Sequence, residues 1–252
     1  SIMSEIHEFD GVLAVIGTPC QIAGIRLMQQ TDAALKNKIL FTISNFCGGF
    51  RDYRETEQIF DLNKVEKNRI RFFSYRGIDQ PGQMTIKQVG RDDVVLPYPD
   101  YSRLTGHRKY HRCKVCIDAT GELADVAFGD AWLPRYLKSE YKWSLYIVRS
   151  KEIEKILLDM EKQSQIVIEE VGLENLALSQ KGNISTKKIR QRSRYHLYRA
   201  LRKAVPIFDG GYSKADINVW QELKIDFIQY VMYLLELAGL YHSVAKLMKR
   251  IK

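Results

Sequence analysis

Two short apolar runs, each followed by a cysteine turn and then a helical pattern, constrain this 252-residue chain more than any other feature. The run Gly11–Ile16 leads into a turn that contains Cys20, and the run Lys38–Ser44 leads into a turn that contains Cys47. Short apolar runs rich in β-branched residues are typical of strands buried in a parallel sheet. The repeated order predicts a βαβα unit with both cysteines at strand carboxyl ends, where open α/β sheets bind ligands.

The first of these turns predicts a helix start as well as a strand end. Pro19 suits the first turn of a helix, because its missing N–H costs nothing there. Cys20 is therefore predicted at a helix N-terminus, where free N–H groups and the helix dipole favour a thiolate.

Later segments complete the predicted fold. Apolar runs at 124–128 and 144–148 add strands to the same sheet, while 70–96 reads as an antiparallel excursion. The predicted class is α/β, with a mixed, mainly parallel sheet, the antiparallel excursion and a C-terminal helical extension. We predict two domains, residues 1–180 and a basic helical extension over residues 190–252.

The net charge of +9 is concentrated near the C-terminus, where residues 181–252 hold 15 Lys and Arg against 5 Asp and Glu. A basic tail fits nucleic acid, an anionic membrane or an acidic partner, but the charge run alone favours a solvated helix face. Four cysteines are too few for a secreted disulfide scaffold, and the first ten residues show no signal peptide. We therefore expect a reduced, cytoplasmic setting.

The C-terminal segment 216–252 is predicted to be one long helix or a helix pair. Its apolar middle, 227–240, is too short and too interrupted to predict a membrane span. We expect it first to pack against the rest of the chain and second to contact a membrane-bound partner or an anionic membrane. The basic residues expected to face solvent or lipid are Lys246, Lys249, Arg250 and Lys252.

The pair Cys113-x-x-Cys116 has three common chemical interpretations. Zinc binding would recruit His107 and His111, whereas a redox dithiol would be expected between a strand and a helix. An iron–sulfur cluster tolerates scattered thiolates, so the two isolated cysteines would join the pair. The spacing favours iron–sulfur over zinc and leaves inert thiols open. The cations that would offset the cluster's negative charge are Arg108, Lys109, Arg112 and Lys114.

Two signatures in this chain resemble those of the coenzyme F420 hydrogenase/dehydrogenase beta subunit family. The first is I-G-T-P-C-Q-I-A-G over residues 16–24. The second begins with Cys113-x-x-Cys116-x-Asp118 and continues with E-L-A-D at 122–125 and F-G-D-A-W at 128–132. Cys47-Gly48 matches the turn between them, and the resemblance covers residues 11–180.

Members of that family are iron–sulfur flavoproteins that pass electrons between FAD, a [4Fe–4S] cluster and an acceptor such as a deazaflavin. The resemblance implies that one cluster is ligated by Cys20, Cys47, Cys113 and Cys116. It further implies a flavin near residues 17–18 and 129–130. The predicted cofactor-binding residues are Gly17, Thr18, Gln21, Arg108, Arg112, Gly129 and Asp130. His107 and His111 are the candidates for proton transfer beside a flavin, because histidine titrates near neutral pH.

The implied partners are a ferredoxin-like protein or a hydrogenase/dehydrogenase subunit, and a deazaflavin or other small acceptor, with no specific nucleic acid. We expect a cytoplasmic location, peripheral to the inner face of the membrane through the C-terminal helix. The family's N-terminal ferredoxin-like cysteines and flavin-binding segment do not appear in this chain.

A competing hypothesis is a zinc-stabilised binding module, with the basic tail for nucleic acid or an anionic membrane. Taken singly, the signature carboxylates Asp118, Asp125 and Asp130 are predicted to be caps and turn residues.

Overall fold

The computed structural model describes residues 2–77, 82–98, 101, 108–208, 215–241 and 243–244. His107 and the four basic residues predicted at the end of the C-terminal helix lie outside these residues.

Helices and strands alternate along the first half of the chain, and helices dominate the second half. The helices of the described residues are α1 Ile2–Glu8, α2 Pro19–Thr31, α3 Ala33–Lys38, α4 Arg54–Leu62, α5 His111–Lys114, α6 Pro134–Leu137, α7 Lys151–Lys162, α8 Leu173–Ser179, α9 Lys181–Ile184, α10 Gln191–Ala200 and α11 Val219–Leu237. The strands are β1 Leu13–Gly17, β2 Ile39–Asn45, β3 Ile70–Ser74, β4 Gln83–Gln88, β5 Val94–Pro97, β6 Val126–Asp130 and β7 Ser144–Val148. A 3-10 turn, Lys67–Arg69, precedes β3, and a π turn, Ser185–Ile189, follows α9.

The chain forms two compact units, each built from two segments. The first unit contains Ser1–Gly48 and Ile117–Ile189, and the second contains Gly49–Cys116 and Arg190–Lys252. The domains predicted over residues 1–180 and 190–252 stay a prediction. The compact units have different boundaries, because residues 49–116 group with the C-terminal helices.

A four-stranded sheet in the order β1-β2-β6-β7 forms the centre of the first unit. The strands β1, β2 and β6 run parallel, and β7 pairs with β6 in the antiparallel direction. The predicted mainly parallel sheet is therefore confirmed. Its register pairs Gly17 with Ser44 and Asn45 with Phe128, so these strands end at one edge of the sheet.

Helix α2 packs on this sheet because its apolar residues recur at helical spacing. Ile22 and Ile25 are buried, and Ile25 joins a core cluster with Ile6, Leu35 and Ile39. A second cluster contains Ala131, Leu133, Tyr136 and Leu145. Its first three members lie in the segment that directly follows β6. The first cluster packs α1, α2 and α3 against β1 and β2, and the second fixes the segment that leaves the carboxyl end of β6.

The second unit contains an antiparallel sheet in the order β3-β4-β5, which confirms the predicted excursion. Strand β4 alternates buried and half-buried positions, as a strand with one core face must. Its inward residues Met84 and Ile86 pack with Ile59 and Phe60 of α4.

Helices α10 and α11 also belong to the second unit, and they confirm the predicted C-terminal helical extension. The N-terminus of α11 is capped by Asn218, whose Oδ1 accepts the N–H of Gln221 at 3.0 Å. Within the described part of the chain, no helix is both long enough and apolar enough to cross a membrane.

Candidate functional site

The turn after β1 places Cys20 where the sequence predicts it, at the second position of α2. Thr18 is the N-cap residue, and its N–H and its hydroxyl both donate to Oε1 of Gln21, at 2.8 and 2.9 Å. The Thr18 hydroxyl also lies 3.3 Å from the sulfur of Cys20, which is exposed. The turn thus presents a free thiol beside the N-terminus of a helix.

The turn after β2 carries Cys47 and is tied to the neighbouring strand. The N–H of Phe46 donates to the carbonyl of Phe128 at 2.6 Å, and that of Cys47 donates to Ala119 at 3.2 Å. The Phe46 ring lies where a Cβ on Gly129 would be, so only glycine allows this approach. Gly129 therefore has a packing role in fixing the Cys47 turn.

The signature carboxylate Asp118 organises a local turn, as its interpretation as a turn residue predicts. Asp118 accepts the N–H groups of Thr120, Gly121 and Glu122, with the shortest bond, to Gly121, at 2.7 Å. Its carbonyl accepts from the buried amine of Lys187 at 2.5 Å. These bonds fix the segment that leads from the second signature into β6.

Asp125 performs a similar task between β2 and α2. Its Oδ2 accepts the N–H and the hydroxyl of Thr42 at 2.7 and 2.8 Å, and Arg26 of α2 donates to the same oxygen at 2.9 Å. One carboxylate thus satisfies a buried backbone donor, a buried hydroxyl and a cation together. The third signature carboxylate, Asp130, has an exposed side chain, and its carbonyl accepts from Gln180 at 2.8 Å.

In the second unit, Cys113 lies on the short helix α5. Backbone pairing fixes the segment that leads into this helix. Residues 108–110 run antiparallel to residues 50–52. The N–H of Phe50 donates to the sulfur of Cys113 at 3.2 Å. Gly49 has φ +115°, a backbone conformation that favours glycine.

The two carbonyls between Cys113 and Cys116 are both bound by side chains of α10. Arg194 donates to the carbonyl of Lys114 at 2.7 Å, and the hydroxyl of Tyr195 donates to that of Val115 at 2.5 Å. We call these two contacts the loop clamp.

The side chain of Lys114 adds a contact to the other C-terminal helix. Its amine donates to Gln229 of α11 at 2.5 Å. Burial lowers the pKa of Lys114, although nearby Asp226 opposes that shift. Lys114 is thus bound through its backbone and through its side chain.

Glu222 of α11 holds the arginine of the loop clamp in place. It accepts from Arg194 at 2.9 Å and from Arg190 at 2.6 Å, and only 3% of its surface is exposed. The prediction of a solvated face for the basic helix is therefore wrong at Arg194, which is only 6% exposed. The i, i+4 spacing of the two arginines was the available signal in the sequence, but their partner Glu222 lies 28 residues away from Arg194.

Several residues predicted to bind the flavin are engaged within the protein. The guanidinium of Arg108 is buried and ion-paired with Glu236 and, at 3.4 Å, with Asp52, whereas Arg112 is exposed. The N–H and the hydroxyl of Thr18 both donate to Oε1 of Gln21. The predicted roles of these residues toward FAD stay predictions.

His111, predicted to transfer protons, lies against the C-terminal helices. Its Nε2 is 2.6 Å from the carbonyl oxygen of Ala204, and its ring centroid is 5.3 Å from that of Tyr198. The other candidate, His107, lies outside the described residues. The catalytic roles of both histidines stay predictions.

All four cysteines are free thiols. Cys20 and Cys47 belong to the first unit, and Cys113 and Cys116 belong to the second. Across the described residues, no three or more His, Cys, Asp or Glu side chains are grouped so that they could hold a metal ion. Ligation of one cluster by the four cysteines stays a prediction.

Comparisons with known proteins agree with the two signatures. Residues 10–173 match the family model that describes the C terminus of the beta subunit of coenzyme F420 hydrogenase/dehydrogenase. No curated protein matches.

Among solved structures, the chain is similar to one from the F420-reducing [NiFe] hydrogenase complex of Methanosarcina barkeri, with a TM-score of 0.54 and 19% identity. The match covers 77% of this chain and 65% of that one. At this identity the likeness shows a shared fold. The family model covers well over half of the sequence, so this chain belongs to the family formed by the C-terminal regions of coenzyme F420 hydrogenase/dehydrogenase beta subunits.

Proposed function

We propose that this chain is an oxidoreductase or electron-transfer subunit that holds one [4Fe–4S] cluster on Cys20, Cys47, Cys113 and Cys116. The observation that carries the proposal is the loop clamp. Two buried side chains bind the two carbonyls between Cys113 and Cys116, and a backbone N–H donates to the Cys113 sulfur. Family membership supports a redox role.

The donor set fits an iron–sulfur cluster, because four thiolates are its usual ligands. When bound, the cluster would supply one-electron transfer. The chain's own contribution is to orient the thiols, and to place an N–H donor and cations near their negative charge. Hydrogen bonds to cluster sulfurs are one of the factors that set the reduction potential.

A zinc site is the competing function. In its mixed cysteine and histidine form, Nδ1 of His111 would bind the metal, because Nε2 lies 2.6 Å from the carbonyl oxygen of Ala204, and a metal-bound imidazole normally donates its other N–H to such a group. The metal content after reconstitution distinguishes zinc from iron.

Anaerobic reconstitution with iron and sulfide tests the proposal. We expect about four iron atoms per chain and broad absorbance at roughly 400 nm, which should bleach on reduction. Replacing any one of the four cysteines by serine should lower the iron content and the absorbance together. Thr31→Ser, an exposed change on α2, is the control and should leave both unchanged. Bound zinc without iron would refute the proposal. An iron content that is unchanged in the cysteine variants would also refute it.

The proposal extends to FAD, to a deazaflavin or other small acceptor, and to a redox partner protein in the cytoplasm. The chain spans about 65% of the length of its solved relative, so flavin binding requires a direct test. Fluorescence titration with FAD should show saturable quenching if the chain binds flavin. The Arg112→Met variant should weaken that binding, whereas the matched surface variant Arg91→Met should not.

A further inference from the structure

Lys187 is a lysine that the first unit buries. It lies in the π turn Ser185–Ile189, and only 2% of its surface is exposed. Lysine is almost never buried to this extent unless its charged amine is paired with acceptors. The side chain of the neighbouring Lys188 is 38% exposed and pairs with Glu122. The π turn thus turns one of its two lysines into the interior of the unit.

The amine of Lys187 binds the backbone beside a candidate cluster ligand. Its Nζ donates to the carbonyl of Asp118 at 2.5 Å, and the next carbonyl, that of Ala119, accepts the N–H of Cys47 at 3.2 Å. Two successive carbonyls therefore hold the lysine amine and the Cys47 turn. Because successive Cα atoms are about 3.8 Å apart, the amine lies within about 12 Å of the Cys47 nitrogen.

The helices that precede the π turn approach the same region. Helix α9 lies close to Gly48, because a Cβ on that glycine would be 3.2 Å from Oδ1 of Asn183. Gln180 donates to the carbonyl of Asp130 at 2.8 Å, at the end of β6. Residues 180–187 thus hold the segments that leave β2 and β6, although they follow the residues that match the family model.

A buried cation acts on a nearby redox centre more strongly than an exposed one, because water and salt screen an exposed charge. At an effective dielectric constant of about 20, a unit charge at about 12 Å changes an equilibrium of another unit charge roughly ten-fold. Reduction by one electron adds a negative charge, so a fixed cation nearby favours the reduced form and raises the reduction potential.

We propose that Lys187 is a positioning residue, which fixes the Cys47 turn through the carbonyl of Asp118 and raises the reduction potential of the cluster through its buried charge. This inference rests on the proposed function, because it requires a cluster on Cys47. It assigns a redox role to a residue that lies beyond the family region.

Potentiometric titration of the reconstituted full chain, followed by the absorbance at roughly 400 nm, tests the proposal. Lys187→Met should lower the equilibrium constant for reduction roughly ten-fold, which is about 59 mV for one electron. Lys187→Gln, which keeps a hydrogen-bond donor without the charge, should show the same shift. Lys187→Arg keeps the charge and should stay within about three-fold of the unmodified chain. Lys181→Met removes an exposed lysine of the same segment and should leave the potential unchanged.

Thiol labelling of the metal-free chain gives a second readout, which does not depend on the cluster. Lys187→Met should raise the alkylation rate of Cys47, because the backbone that accepts the Cys47 N–H loses its contact with the lysine amine. Cys20 is the internal reference and should keep its rate, because Thr18 and Gln21 close its turn.

The outcomes separate this inference from the proposed function. If the unmodified chain takes up no iron, the proposed function fails and this inference fails with it. If the unmodified chain forms the cluster but Lys187→Met and Lys181→Met have equal potentials, only this inference is overturned. If Lys187→Met takes up no iron, equal potentials of Lys187→Gln and Lys187→Arg would overturn it. If neither neutral variant takes up iron, an unchanged labelling rate of Cys47 would overturn it.

Discussion

Arg194 donates a hydrogen bond of 2.7 Å to the carbonyl oxygen of Lys114, a residue 80 positions earlier in the chain. Lys114 lies between the two cysteines of the Cys113-x-x-Cys116 motif, whereas Arg194 lies beyond the region that matches the family model. Helix α10, which lies beyond the residues that match the family model, therefore helps to fix the Cys113-x-x-Cys116 motif.

Removing one bond of the loop clamp should loosen the motif. Tyr195→Phe leaves the buried carbonyl of Val115 without its donor, so we expect a loss of about 1–3 kcal/mol in the free energy of unfolding. The alkylation rate of Cys113 and Cys116 in the metal-free protein should rise. Urea unfolding and mass-spectrometric thiol labelling measure the two effects.

Tyr198→Phe is the matched control for this change. It removes a tyrosine hydroxyl from the same helix, but that hydroxyl bonds to Asp226 rather than to the motif. We expect a comparable loss of stability with unchanged labelling of the two cysteines. If Cys113 and Cys116 were alkylated at equal rates in the Tyr195→Phe and Tyr198→Phe variants, the loop clamp would not restrain the motif.

Asp125→Asn should destabilise the first unit, because the amide oxygen that takes the place of Oδ2 is neutral and accepts more weakly from Thr42 and Arg26. We expect a loss of about 1–3 kcal/mol in the free energy of unfolding, measured in urea. Asp159→Asn, which breaks an exposed ion pair with Lys162, should change stability by less than about 0.5 kcal/mol. Similar losses in both variants would show that Asp125 has no special role.

Acid should lower the free energy of unfolding, partly by protonating Asp52. The side-chain hydrogen bond from Arg54 holds the pKa of Asp52 at about 2, below the ordinary value of 3.8. A carboxylate with a depressed folded-state pKa contributes stability that is complete above its unfolded pKa and is lost as the pH falls toward the folded value. The contribution of Asp52 should therefore disappear between about pH 4 and pH 2.

Two variants isolate this contribution in urea unfolding measured across the acidic range. Asp52→Asn removes the titrating group, and Arg54→Met removes its main partner. Both should flatten the fall in stability that the unmodified chain shows as the carboxylate is protonated. Curves parallel to that of the unmodified chain would contradict the assignment.

Two glycines should respond to alanine in opposite directions. Gly121 has φ +65°, and a Cβ there would lie 2.7 Å from the Cβ of Ser44, so Gly121→Ala should cost more than about 1 kcal/mol. Gly24 lies inside α2 with nothing within 4 Å of its Cβ position, so Gly24→Ala should stabilise by about 0.5–1 kcal/mol. Thermal unfolding measures both, and a shift of the same sign in the two variants would refute this account.

Local patterns in the sequence were sufficient to predict several elements. Apolar runs and the Pro19 turn predicted β1, β2, α2 and the antiparallel excursion, because strand and helix periods are visible within a few residues. The two signatures also predicted the family. The turn role of Asp118 followed from residue type, since carboxylates accept nearby backbone N–H groups. Asp125 was also predicted to be a cap or turn residue, but its side chain binds Thr42 and Arg26, which are 83 and 99 positions away.

The role of the C-terminal helices depends on contacts between residues that are far apart in the sequence. Their basic composition predicted a solvated face, yet Arg194 is buried because Glu222 and the Lys114 carbonyl, both distant in sequence, satisfy its donors. The periodicity of a sequence shows that a helix has a polar and an apolar face. It does not determine which of these faces packs against the rest of the protein. In α11 the ion pairs with Arg190, Arg194 and Arg108 fix the side that faces the protein, because buried charges require partners. Apolar side chains of the same helix, such as Trp220 and Phe227, are exposed instead.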